Sequence, residues 1–160
     1  MRPNAADVYD DLSGNEGARR GGWLDSLVPQ PLLERSLAVS VRAPETIIAG
    51  QPARIEFQVS NRLPIPVKIR LPTSRLWGWR VDGIDEADGR QLEPPDEPRT
   101  LAFAHLETRT FTTSWDGLVR RPDEDGDRWE PATGECTLEA YLATEPPLSD
   151  ETVVTVRNSG

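Results

Sequence analysis

The 160-residue sequence has one cysteine, Cys136, one histidine, His105, and one lysine, Lys68. A lone cysteine excludes an intrachain disulfide. Without a second histidine or cysteine there is no nitrogen and sulfur ligand set for a zinc site. A nucleophile–base pair would have to bring together Cys136 and His105, which fall on different predicted strands, so both read as structural. No apolar run approaches the ~18 residues that a membrane-crossing helix requires. Glycine-rich phosphate loops, nucleophile elbows and zinc-ligand spacings are all missing. These gaps point away from an enzyme, and no cofactor or metal is expected.

Charge is plentiful and mostly of one sign. Acidic residues number 27 against 18 basic, a net charge of -9. Such a surface repels nucleic acid and anionic membrane, so neither is an expected partner. Arginine almost entirely replaces lysine. The acid excess fits a salt-adapted cytoplasm, where charges are screened over about 3 Å at molar ionic strength; GC-rich codon use would produce the same arginine bias. Arg19–Arg20 are followed by Gly-Gly-Trp-Leu-Asp-Ser-Leu-Val-Pro, which Asp25 and Pro29 interrupt too early for an export signal. A soluble cytoplasmic protein is therefore expected.

Residues 1–35 differ from the rest. Positions 1–22 carry too few large apolar groups to offset the entropy of ordering, and the region reads as a flexible arm. Trp23, Leu24, Leu27, Val28, Leu32 and Leu33 form an apolar cluster within it. That cluster serves either as a lead-in packed on the domain edge or as a docking segment for a partner.

From Ser36 the hydrophobic period becomes two. Leu37, Val39 and Val41 alternate with smaller or polar residues, as do Ile55, Phe57 and Val59, then Val67, Ile69 and Leu71. Trp77, Trp79 and Val81 follow around Gly78, then Phe111, Thr113 and Trp115, and Cys136, Leu138, Ala140 and Leu142. Leu101–Leu106 is a weaker strand, and at Val153–Val154 the inward face is ambiguous. Each alternation marks a half-buried strand, and Pro/Gly turn chemistry separates them. The pattern predicts an all-β, Ig-like antiparallel β-sandwich of seven to eight strands over 36–160, without a long helix.

The stretches Ile55–Asn61, Pro66–Leu71 and Trp77–Asp82, with Thr110-Phe-Thr-Thr-Ser-Trp-Asp-Gly117 and Pro131-Ala-Thr-Gly-Glu-Cys-Thr-Leu-Glu-Ala-Tyr141, resemble the BsuPI family of Ig-like domains. That family is named for an intracellular proteinase inhibitor, so the resemblance implies the sandwich and raises protease inhibition as a function. Where the family usually carries Pro-Gly-Glu before its aromatic strand, this chain has His105-Leu106-Glu107. No inhibitory loop maps onto the chain.

Recognition is then expected on the surface, with another protein as partner. Asp82–Pro98 and Asp116–Pro131 read as long acidic loops on a rigid scaffold. Asp123, Asp125 and Asp127 raise calcium binding, but Arg128 and Gly134 stand where an EF-hand needs glycine and glutamate, so a solvated hairpin is the simpler reading. Trp115 and one of Trp77 or Trp79 are expected in the core. The other tryptophan of that pair, with Tyr141 on the opposite face, would offer a protein or carbohydrate platform. The candidate interaction residues are Trp23, Leu24, Leu27, Trp129 and Tyr141.

Overall fold

The computed structural model describes residues 29–85 and 97–160. Trp23, Leu24 and Leu27, and most of the expected Asp82–Pro98 loop, lie outside the described residues. The chain forms one short helix, α1 (Gln30–Arg35), and twelve strands: β1 (Leu37–Arg42), β2 (Thr46–Ile48), β3 (Ala53–Asn61), β4 (Val67–Leu71), β5 (Trp77–Val81), β6 (Ile84–Asp85), β7 (Arg99–Phe103), β8 (Thr108–Trp115), β9 (Leu118–Asp123), β10 (Gly126–Pro131), β11 (Gly134–Leu142) and β12 (Leu148–Arg157).

Two sheets make an all-β, Ig-like sandwich. One has the order β1-β3-β8, the other β2-β12-β11-β5-β6, and β1 packs across the gap against β11 and β12. A β4–β7 ribbon adds Val67, Ile69, Leu71, Leu101 and Phe103 to the core. The alternating residues fill the interior, with Ile55, Phe57, Val59 and Leu138 fully excluded from water. The strand order of β12 resolves its ambiguous pair: Val154 is buried and Val153 exposed.

The structure departs from the sequence pattern in three places. The β2–β12 pairing is parallel, so the sandwich is not antiparallel throughout. The strand count exceeds the expected seven to eight, because β2 and β6 are too short to show alternation and β9–β10 is too polar to show it. Within the range expected to be a flexible arm, Gln30–Arg35 is helical and Leu33 is buried. This supports the lead-in reading for that stretch: α1 packs against β4, and Arg62 N–H donates to Ser36 O at 3.0 Å.

Loops at one sheet end are fixed by Asn61, a buried side chain. Its Nδ2 donates to Ile65 O (2.8 Å) and Ala104 O (2.9 Å), while its Oδ1 accepts from Leu63 N (3.0 Å). The adjoining turn from Ala104 to Glu107 holds Leu106 at φ 53, a left-handed conformation that Leu rarely adopts, at a cost on the order of 1 kcal/mol. Surrounding bonds impose it: Leu106 N donates to Leu63 O, Glu107 N to Ala104 O, and Ala104 N to the Glu107 carboxylate.

Candidate functional site

The Asp116–Pro131 stretch is not a loop but a hydrogen-bonded ribbon. Among the described residues β9 and β10 pair only with each other, through a turn at Glu124-Asp125 that returns at Gly126, whose φ is 127°. Glycine adopts that angle without steric cost. The base of the ribbon is locked to the body. Trp115 packs against Trp79 in the core, with ring centroids 6.1 Å apart, and its indole N–H donates to Leu118 O at 2.8 Å. Leu118 N donates to Asp116 Oδ1 (3.1 Å), and Ala132 N to Gly117 O (2.9 Å). Val119 and Ala132 are buried at this junction. Beyond it, every β10 residue is exposed except half-buried Glu130.

Strand register sorts the ribbon into two faces. One carries Arg120 opposite Trp129 and, toward the tip, Pro122 opposite Asp127. Arg120 Nη2 meets Asp127 Oδ2 at 2.7 Å. The other face carries Arg121 directly opposite Arg128, both exposed. Arg128 reaches Glu130 at 3.4 Å, whereas Arg121 has no charged partner among the described residues. Two like charges facing each other across a ladder are unfavourable. Trp129 is 49% exposed, the largest side chain on the ribbon and far from any role in the core. Among the described residues no three acidic, His or Cys side chains converge as a metal site.

Tyr141 is placed differently from the expectation. It faces away from the core on β11 but is only 5% exposed. Register sets it opposite Gly78, and its ring lies where a Cβ at that position would stand. The Arg80 guanidinium sits 4.3 Å above the ring. Arg75 Nη1 donates to the phenol oxygen at 3.2 Å, and that hydroxyl donates to Asp85 Oδ1 at 3.4 Å. Arg80 also pairs with Asp85 (3.0 Å) and Glu139 (3.4 Å). Burial alone would lower the Arg80 pKa, but the Asp85 carboxylate, with help from Tyr141 and Glu139, raises it. Tyr141 is therefore a clamped structural residue and not an exposed platform.

Trp79 and Trp115 are the buried tryptophans; Trp77 is half-buried and stacks with Phe57 (5.8 Å) and near Phe111 (5.7 Å). Cys136 is buried, as its inward position predicts. Burial first, then the nearby Asp82 carboxylate, pushes its thiol pKa up, which disfavours the reactive thiolate. His105 lies in the exposed Ala104–Glu107 turn. The Arg121–Arg128 pair was absent from the candidates drawn from sequence; its signal was an Arg-Arg and an Arg-Trp flanking a tight acidic turn.

Residues 25–157 match the profile of DUF7974, a family of unknown function. The chain belongs to this family. No curated protein matches it. Among solved structures the chain is similar to the CARDB domain of the PF1109 protein from Pyrococcus furiosus, determined in complex with di-metal ions. That likeness has 14% identity and a TM-score of 0.49, covering 77% of this chain and 94% of that one. It is also similar to part of the β-glucosidase EmGH1 from Erythrobacter marinus (17% identity, TM-score 0.48, 76% of this chain and 15% of that one). A β-glucosidase from Listeria innocua gives 12% identity and a TM-score of 0.46, over 77% of this chain and 16% of that one. These likenesses assign neither metal binding nor glycoside hydrolysis to this chain. No helix among the described residues is long and apolar enough to cross a membrane.

Proposed function

We propose that this member of the DUF7974 family is a non-enzymatic protein-binding module whose recognition element is the β9–β10 ribbon. The observation that carries the reading is Trp129, half-exposed on a ribbon whose base is anchored in the core. Tryptophan and arginine dominate the energetics of protein interfaces: an indole places a large contact area with only two torsions to freeze, and a guanidinium pairs with carboxylates through two parallel hydrogen bonds. Arg121 and Arg128 add two adjacent positive charges on an otherwise acidic protein. A complementary partner has an apolar slot for the indole and carboxylates for the two guanidinium groups. A ribbon seated in a groove presents both of its faces, so the two features act together.

The BsuPI resemblance supplies a second reading, protease inhibition. The ribbon favours it less, because a closed turn at Glu124-Asp125 does not present the extended backbone that a protease cleft takes up. A protease panel run with the full chain, showing no inhibition at micromolar concentration, removes that reading.

Affinity capture from a native lysate with wild-type protein and the Arg121→Glu/Arg128→Glu variant tests the proposal. A partner retained by the first and lost by the second, with affinity that falls as salt rises, supports it. A partner captured equally by both contradicts it.

A further inference from the structure

The end of the sandwich opposite the ribbon, across the length of β8, carries a second surface. α1, the loop between β3 and β4, and the Ala104–Glu107 turn are tied together there by Arg62 N to Ser36 O, Leu106 N to Leu63 O and the Asn61 side chain. Each contributes an exposed large apolar residue: Leu32 (53%), Ile65 (44%) and Leu106 (61%). Arg35, in the last turn of α1 and three residues after Leu32, and Arg62, the first residue after β3, are exposed and without an ion-pair partner among the described residues. The acidic neighbour Glu107 is engaged by Arg109 at 2.9 Å. Leu106 also occupies a left-handed position that glycine would fill without strain, so an apolar side chain is held outward there at a cost.

We infer that this basic-rimmed apolar end is a docking surface for the chain's own segment Trp23-Leu24-Asp25-Ser26-Leu27-Val28. The segment lies outside the described residues, and its last residue adjoins Pro29, where the chain enters α1 at this same end. Its composition is complementary: four large apolar residues around a single acid, Asp25, against three large apolar residues and two arginines that have no ion-pair partner among the described residues. The short tether replaces an intermolecular encounter by a local one, at an effective concentration in the millimolar range. A surface filled in this way is shielded from other proteins, in contrast to Trp129. The inference goes beyond the proposed ribbon function and does not depend on it.

Methyl NMR of the full-length chain tests it, because an indole shifts only the methyl groups it touches. Trp23→Ala is expected to move the Ile65 and Leu106 methyl resonances and leave those of core Ile55 and Leu138 in place. Asp25→Arg is expected to move the same two resonances toward their Trp23→Ala positions, and both sets of shifts are expected to be independent of protein concentration. Unmoved Ile65 and Leu106 methyls in both variants overturn the inference. Wild-type shifts that vanish on dilution also overturn it, assigning the surface to a second copy of the chain.

Discussion

Tyr141 and Trp129 both sit on strand faces turned away from the core, yet one is enclosed and the other is half open. The difference lies in their cross-strand neighbours. Tyr141 faces Gly78, which leaves a furrow for the ring, and Arg75 and Arg80 close over it. Trp129 faces Arg120, whose guanidinium is drawn along the ribbon to Asp127. An outward aromatic on a strand is thus a surface feature only when its neighbours leave it uncovered. On this protein the five-stranded sheet uses its aromatic for structure, and the ribbon has one to spare.

That contrast sets an order of expected effects. Within the body, Leu138→Ala removes a fully buried side chain and is expected to cost about 3 kcal/mol in urea unfolding. A cost under about 1 kcal/mol would mean that the sheets are not packed as described. Gly78→Ala drives a methyl group into the Tyr141 ring and should cost about 2 kcal/mol, with the cost reduced in the Gly78→Ala/Tyr141→Ala double variant. Additive losses in that double variant would separate the two residues and dissolve the clamp. Trp129→Ala should change stability by less than about 0.5 kcal/mol, since the ribbon contributes little to the core beyond its base.

The smallest effect concerns pH. The Cys136 thiol titrates above its ordinary value of 9.0 in the folded protein, because burial and then Asp82 disfavour the thiolate. Below that value both folded and unfolded chains keep the proton, and stability is unaffected. As pH rises past it the unfolded chain releases its proton first, so stability falls. Urea midpoints measured from pH 8 to 10 should decline more steeply for wild type than for Cys136→Ala. Parallel slopes would place the thiol in water.

The sandwich was legible because its burial leaves a period-two trace: Leu37–Val41, Ile55–Val59, Val67–Leu71 and Cys136–Leu142 each show which side chains turn inward. Ladders that bury nothing leave no trace. β9 reads Leu-Val-Arg-Arg-Pro-Asp and β10 reads Gly-Asp-Arg-Trp-Glu-Pro, so backbone hydrogen bonding there is invisible to hydrophobic patterning. Trp129 was nonetheless identifiable as a candidate, since a tryptophan in an acidic turn region has no core to join. Tyr141 was misplaced because its burial depends on the register that sets Gly78 opposite it, a long-range fact. The left-handed Leu106 left only an indirect signal, a turn between two strands that has no glycine.

The most direct measurement is the ratio of partner dissociation constants for Trp129→Ala and Tyr141→Phe, each against wild type, by calorimetry on the captured partner. At least a tenfold weakening, about 1.4 kcal/mol, is expected for Trp129→Ala and essentially none for Tyr141→Phe. Equal affinities for wild type and Trp129→Ala, or a larger loss at Tyr141, would place recognition away from the ribbon.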